Sequence, residues 1–69
     1  MSRKNGGLTG IEYALAKFGT QTNLAKRCRV SQPAVSRWLR LGRVPARVVV
    51  KVEKATGVRR ELLAPELYR

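Results

Sequence analysis

The stretch that decides the fold runs QTNLAKRCRVSQPAVSRWLR from Gln21 to Arg40. Its pattern predicts two short helices that meet at a tight turn, with the second helix beginning after Ser31. On a helical wheel of about 100° per residue, the polar side chains of the second helix occupy one arc of roughly 140° and its apolar side chains the opposite arc. The polar arc holds Gln32, Pro33, Ser36, Arg37 and Arg40, and the apolar arc holds Ala34, Val35, Trp38, Leu39 and Leu41. The second helix is therefore expected to rest on a core and to offer hydrogen bonds outward.

The packing of the two helices depends on small and apolar side chains of the first. Leu24, Ala25 and Cys28 share its inward face, and Ala25 matters because helices that cross near a right angle approach each other closely. Arg29 and Val30 form the predicted turn, with Val30 directed to the core. Cys28 is the single cysteine and is interpreted as a core thiol, since free cysteine is among the most buried residue types. A redox or ligand role is the alternative.

The start of the second helix carries capping chemistry. Ser31 is a good N-cap, and Pro33 fits the first turn because its missing N–H needs no partner there. The Ser31 hydroxyl is therefore expected to accept a hydrogen bond from the N–H of Ala34. Trp38 could serve as a stacking platform for bases, but its position among apolar residues favours a place in the core. Gly42 is expected to end the helix.

The segment before this pair predicts a flexible arm and one helix. Residues 1–8, MSRKNGGL, are polar and contain two glycines, so we expect a flexible basic arm. Thr9 followed by Glu12 is a capping-box signature, and Gly19 is a typical helix end. The apolar face of this helix consists of Ile11, Ala14, Leu15 and Phe18. Tyr13 lies on the other face, as a half-buried ring or a surface contact.

The segment after the pair contains one ambiguity. The residues that follow Pro45 are ARVVVKVEKATG. Over residues 47–53 the alternating valines fit a strand, but the same segment also has one apolar face at helical spacing. A proline at the start, Gly57 at the end and a length of about ten residues favour a helix. Arg60 to Ala64 is expected to form one helical turn, and the last apolar side chains are expected to pack on the domain or on a partner. These side chains are Leu62, Leu63, Leu67 and Tyr68.

The composition limits the functions that this chain can have. Its 69 residues allow one domain with a small core. Fifteen Lys and Arg against four Asp and Glu give a formal charge of +11, so the expected partner is a polyanion, with nucleic acid first and an anionic membrane second. No apolar run approaches the about 18 residues that span a bilayer, and no apolar segment follows the basic N-terminus as in a signal peptide. We therefore expect a cytoplasmic protein that binds no membrane.

Catalysis and metal binding are not expected. The chain has no His, one Cys and four carboxylates, too few for a usual metal site. Neither paired carboxylates nor a nucleophile with a neighbouring base can be recognised, which argues against an enzyme. We predict no catalytic residue, no metal site and no cofactor.

The chain resembles the phage Cro and repressor family in its helix-turn-helix. The matching residues are Gln21, Ala25, Val30, Ser31, Gln32, Val35 and Ser36. The ending, with ATG, then REL, P and LY, is more similar to the YdaS subgroup of Cro-like proteins, so that the resemblance covers roughly residues 10–68. It implies an all-α fold of four to five helices, with one helix-turn-helix DNA-binding domain over residues 9–69. Arg29 departs from the family, which usually has glycine at this turn position; a positive φ here would cost on the order of 1 kcal/mol.

The resemblance also implies a function, namely a sequence-specific regulator of double-stranded DNA that represses a phage or prophage switch. The helix that starts at Ser31 would lie in the major groove. The implied base-reading residues are Gln32, Pro33, Ser36 and Arg37. The implied contacts to the DNA backbone are Gln21, Thr22, Asn23, Lys26, Arg27, Arg40 and Arg43. A palindromic operator and a weak homodimer, at least on DNA, are expected. The alternative within the YdaS subgroup is an antitoxin-like protein that binds a cognate protein through its C-terminal tail.

Overall fold

The structure, a computed structural model, describes residues 8–68. Its elements are the α-helices Gly10–Phe18 (α1), Gln21–Cys28 (α2), Gln32–Leu41 (α3), Ala46–Thr56 (α4) and Arg60–Leu63 (α5), and a 3-10 turn at Pro65–Leu67. No strand occurs within these described residues, so the predicted all-α fold is confirmed. The predicted flexible arm, residues 1–8, lies outside the described residues except for Leu8, which is exposed.

α1 begins at the predicted capping box. The Thr9 hydroxyl accepts a hydrogen bond from the Glu12 backbone N–H at 3.2 Å, and Glu12 Oε1 accepts one from the Thr9 N–H at 2.8 Å. Gly19 follows the helix with a φ of 87°, a conformation that residues with a Cβ rarely adopt. Both predicted ends of α1 are therefore confirmed.

α2 and α3 form the predicted pair of helices, and each begins at a hydroxyl cap. The Thr20 hydroxyl accepts a hydrogen bond from the Asn23 N–H at 3.1 Å. The Ser31 hydroxyl accepts one from the Ala34 N–H at 3.2 Å, as predicted. Gly42 ends α3 in the left-handed conformation. Each cap satisfies a backbone N–H that has no partner within its own helix.

The turn between α2 and α3 contains a strained residue. Arg29 has φ 59° and ψ 46°, the left-handed region in which an L side chain costs about 1 kcal/mol. Its N–H donates to the Lys26 carbonyl at 3.2 Å, and the Val30 N–H donates to the Ala25 carbonyl at 3.0 Å. These bonds satisfy carbonyl groups at the end of α2, so the turn forms although glycine is missing.

The ambiguous segment 47–53 is helical. Val49 and Val52 are buried in α4, whereas Val50 is 38% exposed. A strand would have placed Val50 and Val52 on the same face. The three-residue spacing of the buried valines instead matches one face of a helix, so the helical interpretation is confirmed.

The core lies where the five helices meet. Its fully buried members include Ile11 of α1, Leu24 of α2, Val35 of α3, Val49 of α4 and Leu63 of α5. Trp38 is 4% exposed and Cys28 is 1% exposed, so both predicted core positions are confirmed. The indole therefore braces α3 from behind.

The prediction that Leu41 packs on the core with the other apolar residues of α3 is wrong. Leu41 is the last residue of α3, and its side chain is 48% exposed. The chain turns at Gly42 immediately afterwards, and Val44, which is 1% exposed, fills the core instead. The Leu41 side chain therefore stays at the surface beside the start of α4.

The C-terminal segment, residues 59–68, packs across the start of α1. A Cβ on Gly10 would overlap the Leu62 carbonyl group and the Leu63 backbone nitrogen, so the α1 and α5 backbones are in direct contact. The Val44 N–H donates to the Leu63 carbonyl at 2.9 Å, while the side chains of Leu63 and Ala64 are buried. The apolar side chains of this segment that remain exposed are Leu62, Leu67 and Tyr68. The tail therefore packs on the domain only in part.

Candidate nucleic-acid interface

A hydrogen-bond network joins the start of α2 to the outer face of α3. Gln21 Oε1 accepts a hydrogen bond from Gln32 Nε2 at 2.9 Å and another from the Ser36 hydroxyl. The side-chain oxygen of Gln21 therefore already has two partners within the protein, whereas the side-chain Nε2 of Gln21 remains available as a donor. Because the two donors come from successive turns of α3, Gln21 fixes the position of α3 relative to the N-terminus of α2.

The predicted base-reading residues lie on the outer face of α3. Gln32, Pro33 and Arg37 are exposed, and Ser36 is half-buried between this face and α2. The side-chain oxygen of Gln32, the second hydrogen of its Nε2 and the Arg37 guanidinium remain available for hydrogen bonds outward. The hydroxyl of Ser36 differs, because it already donates to Gln21 and can offer a ligand only its lone pairs.

Most of the predicted backbone-contact residues are also exposed. These are Thr22, Asn23, Lys26, Arg27, Arg40 and Arg43, while Gln21 is half-buried. The Asn23 side chain donates to the Phe18 carbonyl at 3.3 Å, which holds the start of α2 against the end of α1. Only part of this set is therefore free to reach outward.

Arg27 faces a different part of the molecule. Its Nε donates to the Ala55 carbonyl near the end of α4 at 3.3 Å. Its guanidinium also lies 5.9 Å from the centroid of the Phe18 ring, within the range of a cation–π contact. Arg27 has these two protein contacts, which the sequence pattern did not indicate, and neither joins it to α3.

The charges of the chain are divided unevenly. Residues 13–52 contain nine Lys and Arg and no Asp or Glu, and this stretch includes all of α2 and α3. The four glutamates of the sequence are Glu12, Glu53, Glu61 and Glu66. A surface on which cations greatly outnumber acids creates a positive potential that attracts polyanions.

A groove lies beside the outer face of α3, between α3 and the start of α4, with a volume of about 650 Å³. Three arginines line it, namely Arg37, Arg43 and Arg47, together with Trp38 and Leu41. Sequence reasoning did not select Arg47. The only signal was its place just after Pro45, at the start of a helix whose first turn has no acidic residue.

The Cys28 thiol is a buried group outside this face. Burial raises the pKa of the thiol, and the positive charge of Lys51 partly offsets the effect. The thiol therefore stays protonated and uncharged at neutral pH, which suits its place in the core. Within residues 8–68, no three His, Cys, Asp or Glu side chains lie close enough together to hold a metal ion.

Comparison with protein families gave a match over nearly all of the structure. The family described as bacterial toxin YdaS matches residues 11–69, which include α2, the turn and α3. The chain belongs to this family. The resemblance to the YdaS subgroup noted from the helix-turn-helix and the C-terminal motifs is thereby confirmed. Comparison with curated proteins and with solved structures gave no significant match.

Membership in the YdaS family relates the chain to small bacterial proteins of the toxin, antitoxin-like or phage-regulator kind. Among the described residues, no helix of this YdaS-family protein is both long and apolar enough to cross a membrane.

Proposed function

We propose that this YdaS-family protein is a sequence-specific regulator that binds double-stranded DNA with α3 in the major groove. The observation that carries the proposal is the polar outer face of α3. Gln32 and Ser36 on this face donate hydrogen bonds to Gln21, and Trp38 on the opposite face of the helix is buried in the core. This face lies in a stretch of nine cations without an acid. A rigid helix with amide and guanidinium tips on a positive surface has the features that direct readout requires.

The side chains of α3 match the hydrogen-bonding edges of bases. Gln32 can pair with adenine N6 and N7, and Arg37 with guanine O6 and N7, each good bidentate pair discriminating by about 1–3 kcal/mol. Pro33 offers only an apolar contact to a thymine methyl group. Ser36 takes a smaller part, because its proton is used for Gln21.

The backbone contacts would position the protein without selecting a sequence. Gln21 can donate through its free Nε2 to a phosphate next to the N-terminus of α2. Thr22, Lys26 and Arg40 are exposed, whereas Arg27 and Arg43 first have to leave their partners, the Ala55 carbonyl and Glu66. Repression would follow from occupation of an operator. A homodimer on a palindromic site would supply the contact area that one module lacks. The protein would act in the bacterial cytoplasm, and on the nucleoid when it is bound to DNA.

The first experiment selects bound sites from random duplex DNA and then measures affinities for the selected site and its point variants. Arg37→Ala is expected to weaken binding to the selected site by about 1–3 kcal/mol and to relax discrimination at one base pair. Lys26→Ala, the matched control, is expected to weaken all sequences alike. Equal losses on every sequence for both variants would contradict the base-reading role of α3.

The salt dependence of binding tests the electrostatic part of the proposal. Log affinity is expected to fall linearly with log salt concentration, with a slope of about −0.9 for each phosphate neutralised. Lys26→Ala should make the slope less steep by about one unit. An affinity that does not change with salt concentration would contradict phosphate binding by the cationic face.

The family description names a toxin. If this protein is toxic, the outer face of α3 could cause the toxicity by binding host promoters and blocking transcription. Growth is compared during expression of the wild type and of Arg37→Ala at equal protein levels. Arrest by both proteins would separate toxicity from DNA reading.

A second candidate function is that of an antitoxin-like protein that binds a cognate protein through its tail. It is supported by the exposure of Leu62, Leu67 and Tyr68, at 40%, 52% and 36%. Leu67→Asp should then abolish complex formation with the cognate protein and leave DNA binding unchanged. Complex formation that survives this substitution would exclude the tail as the binding surface.

A further inference from the structure

The groove between α3 and α4 is lined by both apolar and cationic side chains, which we call its floor and its rim. The floor includes Leu41, at 48% exposure, together with Val48 and the buried Trp38. The rim carries Arg37 and Arg43, with Arg47 in the first turn of α4. At about 650 Å³, the groove is large enough for several side chains of a partner. We call it the α3–α4 groove.

We propose that the α3–α4 groove binds an acidic amphipathic segment of another protein. The floor favours a partner with apolar side chains, because burial of the Leu41 and Val48 surface is favourable only against other apolar atoms. The arginines of the rim favour carboxylates, which guanidinium groups bind in bidentate geometry. A helix with leucines on one face and glutamates beside them supplies both groups at once.

The charges of the chain argue against other occupants. A second copy would bring another +11 charges to a cationic rim, and residues 1–7 contain Arg3 and Lys4 but no acid. A DNA backbone would satisfy the arginines but would leave the leucine and valine of the floor without an apolar partner. A protein segment with carboxylates fits both parts of the groove.

The rim already binds a carboxylate within the chain itself. Arg43 Nε lies 3.4 Å from Glu66 Oε1, and both side chains are largely exposed, so the pair is weak. An incoming glutamate can replace Glu66 at little cost. The C-terminal turn that carries Glu66 would then lose this contact with Arg43.

Arg37 lines the groove and also belongs to the outer face of α3. A segment that binds this guanidinium would withdraw it from a base, so the acidic partner and operator DNA are expected to compete. This consequence, unlike the binding itself, rests on the proposed function.

The test uses the full-length chain and a synthetic helical peptide of about 16 residues with leucines at helical spacing and glutamates elsewhere. Two control peptides have the same composition in scrambled order, or lysine in place of glutamate. Peptide binding is followed by the NMR chemical shifts of the backbone amides and of the Trp38 indole. In a separate sample, duplex DNA of mixed sequence is titrated into the protein and the same signals are followed.

The amphipathic acidic peptide is expected to bind and to shift the signals of Leu41 and Val48, and both control peptides are expected to bind at least about tenfold more weakly. Leu41→Ser should weaken the peptide by about tenfold. Leu62→Ser removes a similarly exposed leucine outside the groove and should leave the affinity unchanged. Wild-type affinity for mixed duplex DNA should be retained by Leu41→Ser, which also shows that this variant is folded.

Equal binding of the scrambled peptide would overturn the proposal, because charge alone would then explain it. Failure of the peptide to bind, or equal affinity for wild type and Leu41→Ser, would also overturn it. If duplex DNA rather than the peptide shifts the Leu41 and Val48 signals, the groove belongs to the DNA surface. Peptide binding without competition by the selected operator would leave the groove intact and contradict the role of Arg37 in base reading.

Discussion

The pair of helices α2 and α3 and the C-terminal segment, residues 59–68, are held in the fold by different kinds of contact. The pair is fixed largely by neighbours: Thr20 and Ser31 each cap a backbone N–H three positions further along the chain. The segment is fixed by distant residues, since Gly10 lies against Leu62 and other contacts come from residues 44 and 53. The starts of α2 and α3 are thus set by local sequence, whereas the attachment of the C-terminal segment depends on distant residues.

The two regions also differ in their surface chemistry. The helix pair lies in a stretch without any acid, and its outer face is polar. The C-terminal segment contains Glu61 and Glu66 and exposes the apolar side chains of Leu62, Leu67 and Tyr68. The first surface suits a polyanion, and the second suits a protein. Substitutions in one region should therefore leave the contacts of the other largely intact.

The largest effect is expected from Gly10→Ala, which breaks the contact beneath the C-terminal segment. The added Cβ would overlap the α5 backbone, and overpacking of this kind costs about 1–3 kcal/mol of unfolding free energy. Urea denaturation followed by Trp38 fluorescence measures the loss. Helix propensity alone predicts the opposite sign, a gain of roughly 1 kcal/mol. A more stable variant would therefore show that α1 and α5 do not touch.

A smaller effect, of opposite sign, is expected from Arg29→Gly in the helix pair. Glycine adopts the φ of 59° observed here without strain, so the free energy of unfolding should rise by about 1 kcal/mol. Arg29→Ala is the matched control, because it also removes the cation but keeps the strained Cβ. Thermal unfolding that gives the same stability for both variants would place the turn in another conformation.

The smallest effect is expected from Glu53→Gln, at the attachment of the C-terminal segment. The Arg60 backbone N–H, and then its guanidinium, donate to the Glu53 carboxylate at 3.1 and 2.9 Å and lower its pKa. A carboxyl whose pKa is lowered by folding stabilises the native state above its ordinary pKa, and this contribution is lost as the pH falls through the lowered value.

Wild type should therefore exceed Glu53→Gln in stability at pH 7, and the difference should shrink as the pH falls below about 4. Denaturation midpoints across this pH range measure the effect, and Glu61→Gln controls for the loss of one negative charge from the same region. A difference independent of pH would show that the Glu53–Arg60 pair does not attach the segment.

Local chemistry explains why much of the fold could be predicted. The caps at Thr9 and Ser31 and the apolar spacing of about 3.6 residues depend only on neighbouring residues. The helices α1 and α3 begin directly after these two caps. Leu41 was predicted wrongly because a helical wheel assumes that core contacts continue to the last residue. The bonds of Arg27 to α4 and Phe18 could not be predicted either, since its partners are distant in sequence.

The sequence by itself determined that the chain is helical, that α3 has one polar face, and that its cations lie together without acids in residues 13–52. Only the tertiary structure decided that Gln21 binds both Gln32 and Ser36, that Gly10 must lack a side chain, and that three arginines and several apolar side chains line one groove. Helix type and charge depend on the identity and spacing of neighbouring residues. Contacts between distant residues depend instead on the positions that the assembled core gives to each helix.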